Sequence, residues 1–315
     1  MKCVPVSLRW VLGLSAVLLV LEAAVGLVAV EGALHPSRRI TTPDERSEAV
    51  RVAARHDAAL AEVSVTANDG ATLRGWSIRP ARWNGDAVIL LHGQSDTRTG
   101  MLGKADVLLD HGYAVLLPDA RAHGASGGLL ATYGVEEGND LRHWFNFVRL
   151  AESPRCIDGL GESMGAAQLL ASLHTVPSFC AVVAESPFAS FREASYERLG
   201  QMFDSGPWVG RVVLRPAVEI AFLYARTRYG ENLDSASPED GVSESHVPVL
   251  LIHGDRDTNL PLRHSECILA RNPAREPTVI LWKVPGAGPC GAQETMPLEF
   301  EQRVVGWFKS HDQSP

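Results

Sequence analysis

The sequence predicts an α/β protein built on a mostly parallel, eight-stranded sheet with helices on both faces. Two observations carry that expectation. Short, continuous apolar runs alternate with longer stretches of helical period from Ala87 to Ala184, and the alternation resumes at Val249 after one long interruption. Continuous rather than alternating apolar runs mark strands buried on both faces, which is the condition of a parallel sheet covered by crossover helices.

The order of elements follows from the residues. Val63 to Ala67 and Thr72 to Ile78 are rich in β-forming residues and are separated by Asn68-Asp69-Gly70, so they read as an opening hairpin. Ala87 to Leu91 is a buried strand ending in His92-Gly93, and Arg98 to His111 follows with Met101, Leu102, Ala105, Leu108 and Leu109 at helical spacing. The same unit recurs as strand Ala114 to Leu117 and helix Glu136 to Leu150, then strand Ile157 to Leu160 and helix Met164 to Leu173, then strand Ala181 to Ala184. From Pro187 to His246 the pattern turns to longer, aromatic-rich helical segments, so residues 188–246 read as an inserted helical cap. Its Phe203, Trp208, Leu214, Phe222 and Tyr224 are expected either to make core or to line an acyl pocket. Strands Val249 to Ile252 and Thr278 to Trp282 and a helix from Pro297 to Phe308 complete the domain, expected over 63–315.

Val11 to Val30 is almost wholly apolar and long enough to cross a bilayer, which makes 1–35 a membrane anchor or a signal segment. The anchor is the favoured reading, because Glu31 fits poorly into the small-residue cleavage site ending at Ala33; a secreted or periplasmic product of cleavage is the alternative. Lys2 and Arg9 precede the segment and Arg38 and Arg39 follow it, so charge does not set its orientation. Residues 36–62, polar and helical in pattern, read as a linker.

A formal net charge of −8 argues against nucleic acid as a partner. The five cysteines lack paired short spacings, which argues against zinc; Cys156 and Cys180 read as buried strand residues, and a Cys267 to Cys290 bridge is open. Asp255, Asp257, Asn259 and Glu266 fall at calcium-loop intervals, but Leu260 stands where the loop needs glycine, so no metal is expected. No G-x-G-x-x-G follows the early strands, which leaves no dinucleotide fingerprint and implies no cofactor.

Gly161-Glu162-Ser163-Met164-Gly165 matches G-x-S-x-G at a strand-to-helix junction. The flanking glycines permit a sharp turn that exposes the serine oxygen above a helix N-terminus. With this elbow stand Leu91-His92-Gly93-Gln94, Pro118-Asp119-Ala120-Arg121-Ala122-His123-Gly124-Ala125-Ser126 and Ile252-His253-Gly254-Asp255-Arg256-Asp257. Together they resemble the α/β-hydrolases, in particular the serine aminopeptidase-like and Bem46-like membrane-associated group, over about Val63 to Phe308. The resemblance implies Ser163 as nucleophile, backbone N–H groups of Gln94 and Met164 as an oxyanion hole, and a small-molecule ester or amide as substrate. It assigns His92 and His123 to loop shaping.

A serine hydroxyl needs a histidine to take its proton, and the imidazole needs an acid to orient it. Three carboxylates compete for the acid: Asp257 follows the Val249 to Ile252 strand at the spacing the resemblance implies and is favoured, with Asp255 holding the turn and Glu185 in a less usual position. The resemblance places the histidine at position 289, where this sequence has Pro289. Proline carries no side-chain base. His264 and His311 are the imidazoles that could substitute, and Cys290 is a poor replacement because a thiol needs a depressed pKa to react.

Overall fold

A computed structural model describes residues 6–176, 178–272 and 279–312. In chain order the elements are α1 (Val6–Leu34), α2 (Pro43–Arg55), β1 (Leu60–Thr66), β2 (Thr72–Ile78), β3 (Ala87–Leu91), α3 (Leu102–Asp110), β4 (Ala114–Pro118), α4 (Glu137–Glu152), β5 (Ile157–Glu162), α5 (Met164–Ala171) and β6 (Val182–Glu185). They continue with α6 (Phe191–Met202), α7 (Pro207–Val212), α8 (Arg215–Tyr229), α9 (Pro238–Ser243), β7 (Val249–Gly254), α10 (Arg263–Ala270), β8 (Val279–Val284), α11 (Ala292–Thr295) and α12 (Pro297–Ser310). Each expected strand is present; Thr278, the expected start of the last, lies outside the described residues.

The chain divides into two compact units, one of residues 35–191 with 235–315, the other of residues 1–34 with 192–234. The first is the α/β body. Its eight strands run in the order β1-β2-β4-β3-β5-β6-β7-β8, antiparallel from β1 to β4 and parallel from there on. Gly70 closes the β1–β2 hairpin at φ +83°, and Asp69 accepts a hydrogen bond from the backbone N–H of Ala71, so the Asn-Asp-Gly turn works as its chemistry requires.

All residues of β3, β4, β6 and β7 are buried, as continuous apolar strands must be. Val88, Leu90, Val115, Leu117, Val183 and Leu250 join one core layer with α3 and α12, and Ile89, Leu116, Val182 and Leu251 join the other with α4 and α5.

Three expectations are corrected here. The stretch read as a linker is part of the body: Thr42 and Glu45 form a capping box that starts α2, and Ala49, Val52 and Ala53 on one face of that helix enter the core. Its polar composition hid a three-residue apolar stripe. The expected cap is trimmed, because α9 approaches α5 so closely that a Cβ on Gly241 would lie 2.3 Å from the carbonyl oxygen of Leu170, and Val242 is buried in the core.

The disulfide joins Cys156 to Cys180, with Cα atoms 5.8 Å apart, and not Cys267 to Cys290, which are both free. The two bonded residues precede the adjacent strands β5 and β6, and the backbone N–H of Cys180 donates to Ile157; sheet pairing thus brings them within bridging distance.

In the second unit, α1 packs on α8. A Cβ on Gly26 would stand 2.2 Å from the carbonyl oxygen of Ala217, so the backbones touch where a small residue faces a small residue. Further along, the hydroxyls of Tyr224 and Tyr229 each donate to Glu31 at 2.7 Å.

Candidate active site

Ser163 stands between β5 and α5 at φ 49° and ψ −113°, a conformation that costs a non-glycine residue about 1–3 kcal/mol. The neighbours hold it there. Its backbone N–H donates to the carbonyl of Glu185 at 2.8 Å, and its carbonyl accepts from Ala167 at 3.0 Å. Glycine is obligatory on either side: a Cβ on Gly161 would lie 2.6 Å from the backbone nitrogen of Ala166, and one on Gly165 would lie 2.4 Å from the carbonyl oxygen of Leu91. The serine is half-buried, and its side chain makes no capping bond to α5.

The loop after β3 lies against the serine, since a Cβ on Gly93 would be 3.7 Å from that of Ser163. His92 fixes this loop. Its Nδ1 lies 2.7 Å from the carbonyl oxygen of Gly93 and its Nε2 accepts from the backbone N–H of Ala120 at 3.0 Å, an arrangement that puts the ring proton on Nδ1. Burial pushes the imidazole below the ordinary histidine range, which keeps it neutral. His123 packs edge-on against it, with ring centroids 5.4 Å apart, and both histidines are loop residues as expected. The side-chain amide of Gln94 donates to the hydroxyl of Tyr133 at 2.9 Å. Among the described residues, no acceptor takes the backbone N–H of Gln94 or of Met164, the first residue of α5.

At the ends of the next two strands the carboxylates separate by environment. Glu185 at the end of β6 accepts from the backbone N–H of Ala292 at 2.8 Å and lies 3.3 Å from the ammonium of Lys104, which also bonds Glu162. Burial would lower the pKa of Lys104, but Glu185 and Glu162 outweigh it and hold the ammonium charged. Asp255 accepts from the backbone N–H of Gly286 at 2.7 Å and so holds the turn after β8. Glu266, of the apparent calcium spacing, bonds Lys283.

Asp257 is buried after β7. One carboxylate oxygen accepts the backbone N–H groups of Asn259 and Leu260, each at 2.9 Å, while the other, Oδ2, is buried without a hydrogen-bond partner among the described residues. The loop that carries Pro289 lies beside it: the backbone N–H of Arg256 donates to the carbonyl of Ala287 at 3.0 Å, and a Cβ on Gly254 would meet that same oxygen at 2.3 Å. Pro289 is exposed on this loop, and the next residue, Cys290, takes φ 49° and donates its backbone N–H to Ser186 at 3.4 Å.

The imidazoles that could have replaced a histidine at 289 are spent elsewhere. His264 is fully buried and its Nδ1 accepts from the backbone N–H of Ala189. His311 lies at the end of α12, with Nδ1 2.8 Å from the carbonyl oxygen of Trp307. Sequence reasoning overlooked His253, the imidazole nearest Asp257; its place inside an apolar strand could have drawn notice. It bonds Ser265 and the carbonyl of Leu260, both at 2.8 Å, and burial keeps its pKa low. The thiol of Cys290 is pushed well up by burial and by Glu162 and Glu185, so it is no base at neutral pH.

A parallel sheet of this order, with a strained serine between its fifth strand and the helix that follows, defines an α/β hydrolase. Residues 88–303 match the alpha/beta hydrolase family, and the chain belongs to it. YqkD of Bacillus subtilis, an uncharacterised protein, is 30% identical over 200 residues, which are 62% of this chain and 63% of YqkD, so the match spans less than two thirds of that relative. YfhR of Escherichia coli (strain K12), also uncharacterised, is 27% identical over 259 residues, 79% of this chain and 77% of YfhR. Among solved structures, the Pyrococcus furiosus esterase Pf2001 superposes with a TM-score of 0.69 at 25% identity, covering 88% of this chain and 98% of the esterase. A bacterial membrane phospholipase A shares the fold at 16% identity, with a TM-score of 0.57 over 97% of this chain and 99% of that one.

Proposed function

We propose that this chain carries a serine-hydrolase site for carboxylic esters or small amides, with Ser163 as nucleophile and acyl-enzyme carrier, and that Pro289 has removed its proton acceptor. The observation that carries the reading is the buried Oδ2 of Asp257, without a hydrogen-bond donor among the described residues, beside the loop of Pro289. A buried carboxylate oxygen without a donor costs about 1–3 kcal/mol or more, and it marks where an imidazole N–H would bind. The likeness to an esterase at 25% identity supports an ester substrate. The unclaimed N–H groups of Gln94 and Met164 support an oxyanion hole, which stabilises the charge of a tetrahedral intermediate. Without a base, the rate falls by about 10⁴ to 10⁶ while binding and the oxyanion hole persist.

The motifs support placement in the Bem46-like, membrane-associated group, with α1 as a retained anchor. Ala33, the expected cleavage point, lies inside α1, which packs on α8 at Gly26 and through Glu31. The disulfide between Cys156 and Cys180 supports a body that faces an oxidising compartment.

The test is reaction of the purified protein with a fluorophosphonate probe, comparing wild type, Ser163→Ala and Pro289→His. Labelling that appears with Pro289→His and vanishes on adding Ser163→Ala supports a silenced hydrolase site. Full labelling of wild type at Ser163 would show that another base serves. A second reading, a non-catalytic membrane protein that holds an acyl-like ligand, is favoured by Pro289 itself; it predicts ligand binding without labelling in any variant.

A further inference from the structure

Apart from Leu223 on α8, the large apolar side chains that the second unit exposes lie in two places. Along α1, Trp10 to Leu21 are exposed throughout, whereas Glu22, Gly26, Val30 and Leu34 are buried at successive steps of four. One face of the later half of α1 is therefore covered, and nothing among the described residues covers the earlier half. The other place is the hairpin of α6 and α7. These helices cross in backbone contact, because a Cβ on Gly210 would lie 1.8 Å from the carbonyl oxygen of Tyr196. At the turn between them and just beyond it, Met202, Phe203 and Trp208 are 66%, 53% and 66% exposed, and Val212 and Val213 continue the apolar surface at 55% and 45%. Phe203 and Trp208, expected to make core or to line a pocket, are not core.

The direction of α8 relates the two places. Gly26 meets Ala217 and Glu31 meets Tyr224 and Tyr229, so α1 and α8 run parallel. The end of α8 that receives α7 is therefore the end nearest the exposed half of α1, and the turn Val213–Leu214, closed by bonds from both residues to Val209, holds α7 there.

The length of α1 sets the membrane boundary. A bilayer's hydrocarbon core takes about 20 helical residues at about 1.5 Å each. Counted from Val6, about 20 residues end at Val25, and counted from Trp10 they end at Ala29. Either end falls level with the start of α8, given that Gly26 faces Ala217.

We propose that the α6–α7 tip is a second membrane contact, seated in the headgroup and upper acyl region of a lipid bilayer beside the spanning helix. The inference rests on the anchor reading of α1. Aromatic residues such as Trp208 favour that level of a membrane. The contact is apolar rather than electrostatic: Asp204 sits at the tip, Arg211 bonds Glu193, and Arg215 lies 3.5 Å from Glu219. Zwitterionic lipid therefore suffices.

The test uses the full chain in phosphatidylcholine vesicles, with and without lipids brominated near the top of the acyl chain, comparing wild type, Trp10→Phe and Trp208→Phe. Bromine quenches tryptophan on contact, and the five other tryptophans supply a constant background. The expected result is that each substitution lowers the quenchable fraction of the emission, by a similar amount in moderate and in high salt. A fraction lowered by Trp10→Phe and unchanged by Trp208→Phe would keep the anchor and overturn the tip contact. No quenching in wild type would overturn both.

Discussion

Nε2 of His253 stands 3.6 Å from Oδ2 of Asp257, yet it bonds the carbonyl oxygen of Leu260 at 2.8 Å. The imidazole nearest the candidate acid is thus committed to the loop that follows β7. With Nδ1 engaged by Ser265 as well, its ring cannot turn towards the serine without breaking two buried bonds.

Replacing Asp257 by Asn should therefore stabilise the protein as it stands. The substitution removes a buried charge whose Oδ2 has no donor and keeps an oxygen for the N–H groups of Asn259 and Leu260. A gain of about 1 kcal/mol is expected, read as a higher midpoint in thermal or urea unfolding.

In a Pro289→His background the same substitution should do the opposite for activity. The introduced imidazole would need Asp257 to orient it, so Asp257→Asn should lower ester hydrolysis by about 10⁴ relative to Pro289→His alone. The base works only when neutral, so the rate of Pro289→His should rise with pH through the histidine range, around 6.5 or somewhat above because a carboxylate favours the imidazolium. A pH–rate profile on a short-chain p-nitrophenyl ester checks both.

Two glycines of the site loops should respond differently to alanine. Gly165→Ala drives a Cβ to 2.4 Å from the carbonyl oxygen of Leu91, which forces the backbone at the elbow apart. Gly288→Ala meets nothing within 4 Å. The expected losses are about 3 kcal/mol or outright misfolding for the first and within about 0.5 kcal/mol for the second, measured by urea titration.

The two free thiols of the body should differ in alkylation. Cys267 is exposed, while Cys290 is held well above the ordinary thiol range by burial and by Glu162 and Glu185. Since the thiolate is the reactive form, a thiol with a raised pKa is less ionised at pH 8. Iodoacetamide at that pH should modify Cys267 first, as peptide mass mapping would show.

The sheet was legible because its strands are continuous apolar runs and each crossover helix repeats at helical spacing, as Ala87 to Leu91 and Met101 to Leu109 illustrate. The elbow was legible because its glycines stand at fixed spacing about the serine, although only Gly161 answers to backbone a few residues away; Gly165 answers to Leu91 on the neighbouring strand. What escaped notice depends on pairing across the chain. The bond from Cys156 to Cys180 needs the knowledge that β5 and β6 are neighbours, and the docking of α2 needs a core to receive Ala49, Val52 and Ala53. The partnerless oxygen of Asp257 could not be read from sequence, because it is defined by what surrounds it.

Lys104 is one cation shared by Glu162, which precedes the serine, and Glu185, its partner at the end of the adjacent strand. Among the described residues, two carboxylates against one ammonium leave this end of the sheet with surplus negative potential. Such a potential repels a carboxylate, so an acid released by ester cleavage would be expelled rather than retained, and free fatty acids would make poor competitors for neutral esters of the same chain length. In the proposed reaction, this shared cation would thereby set which side the site holds.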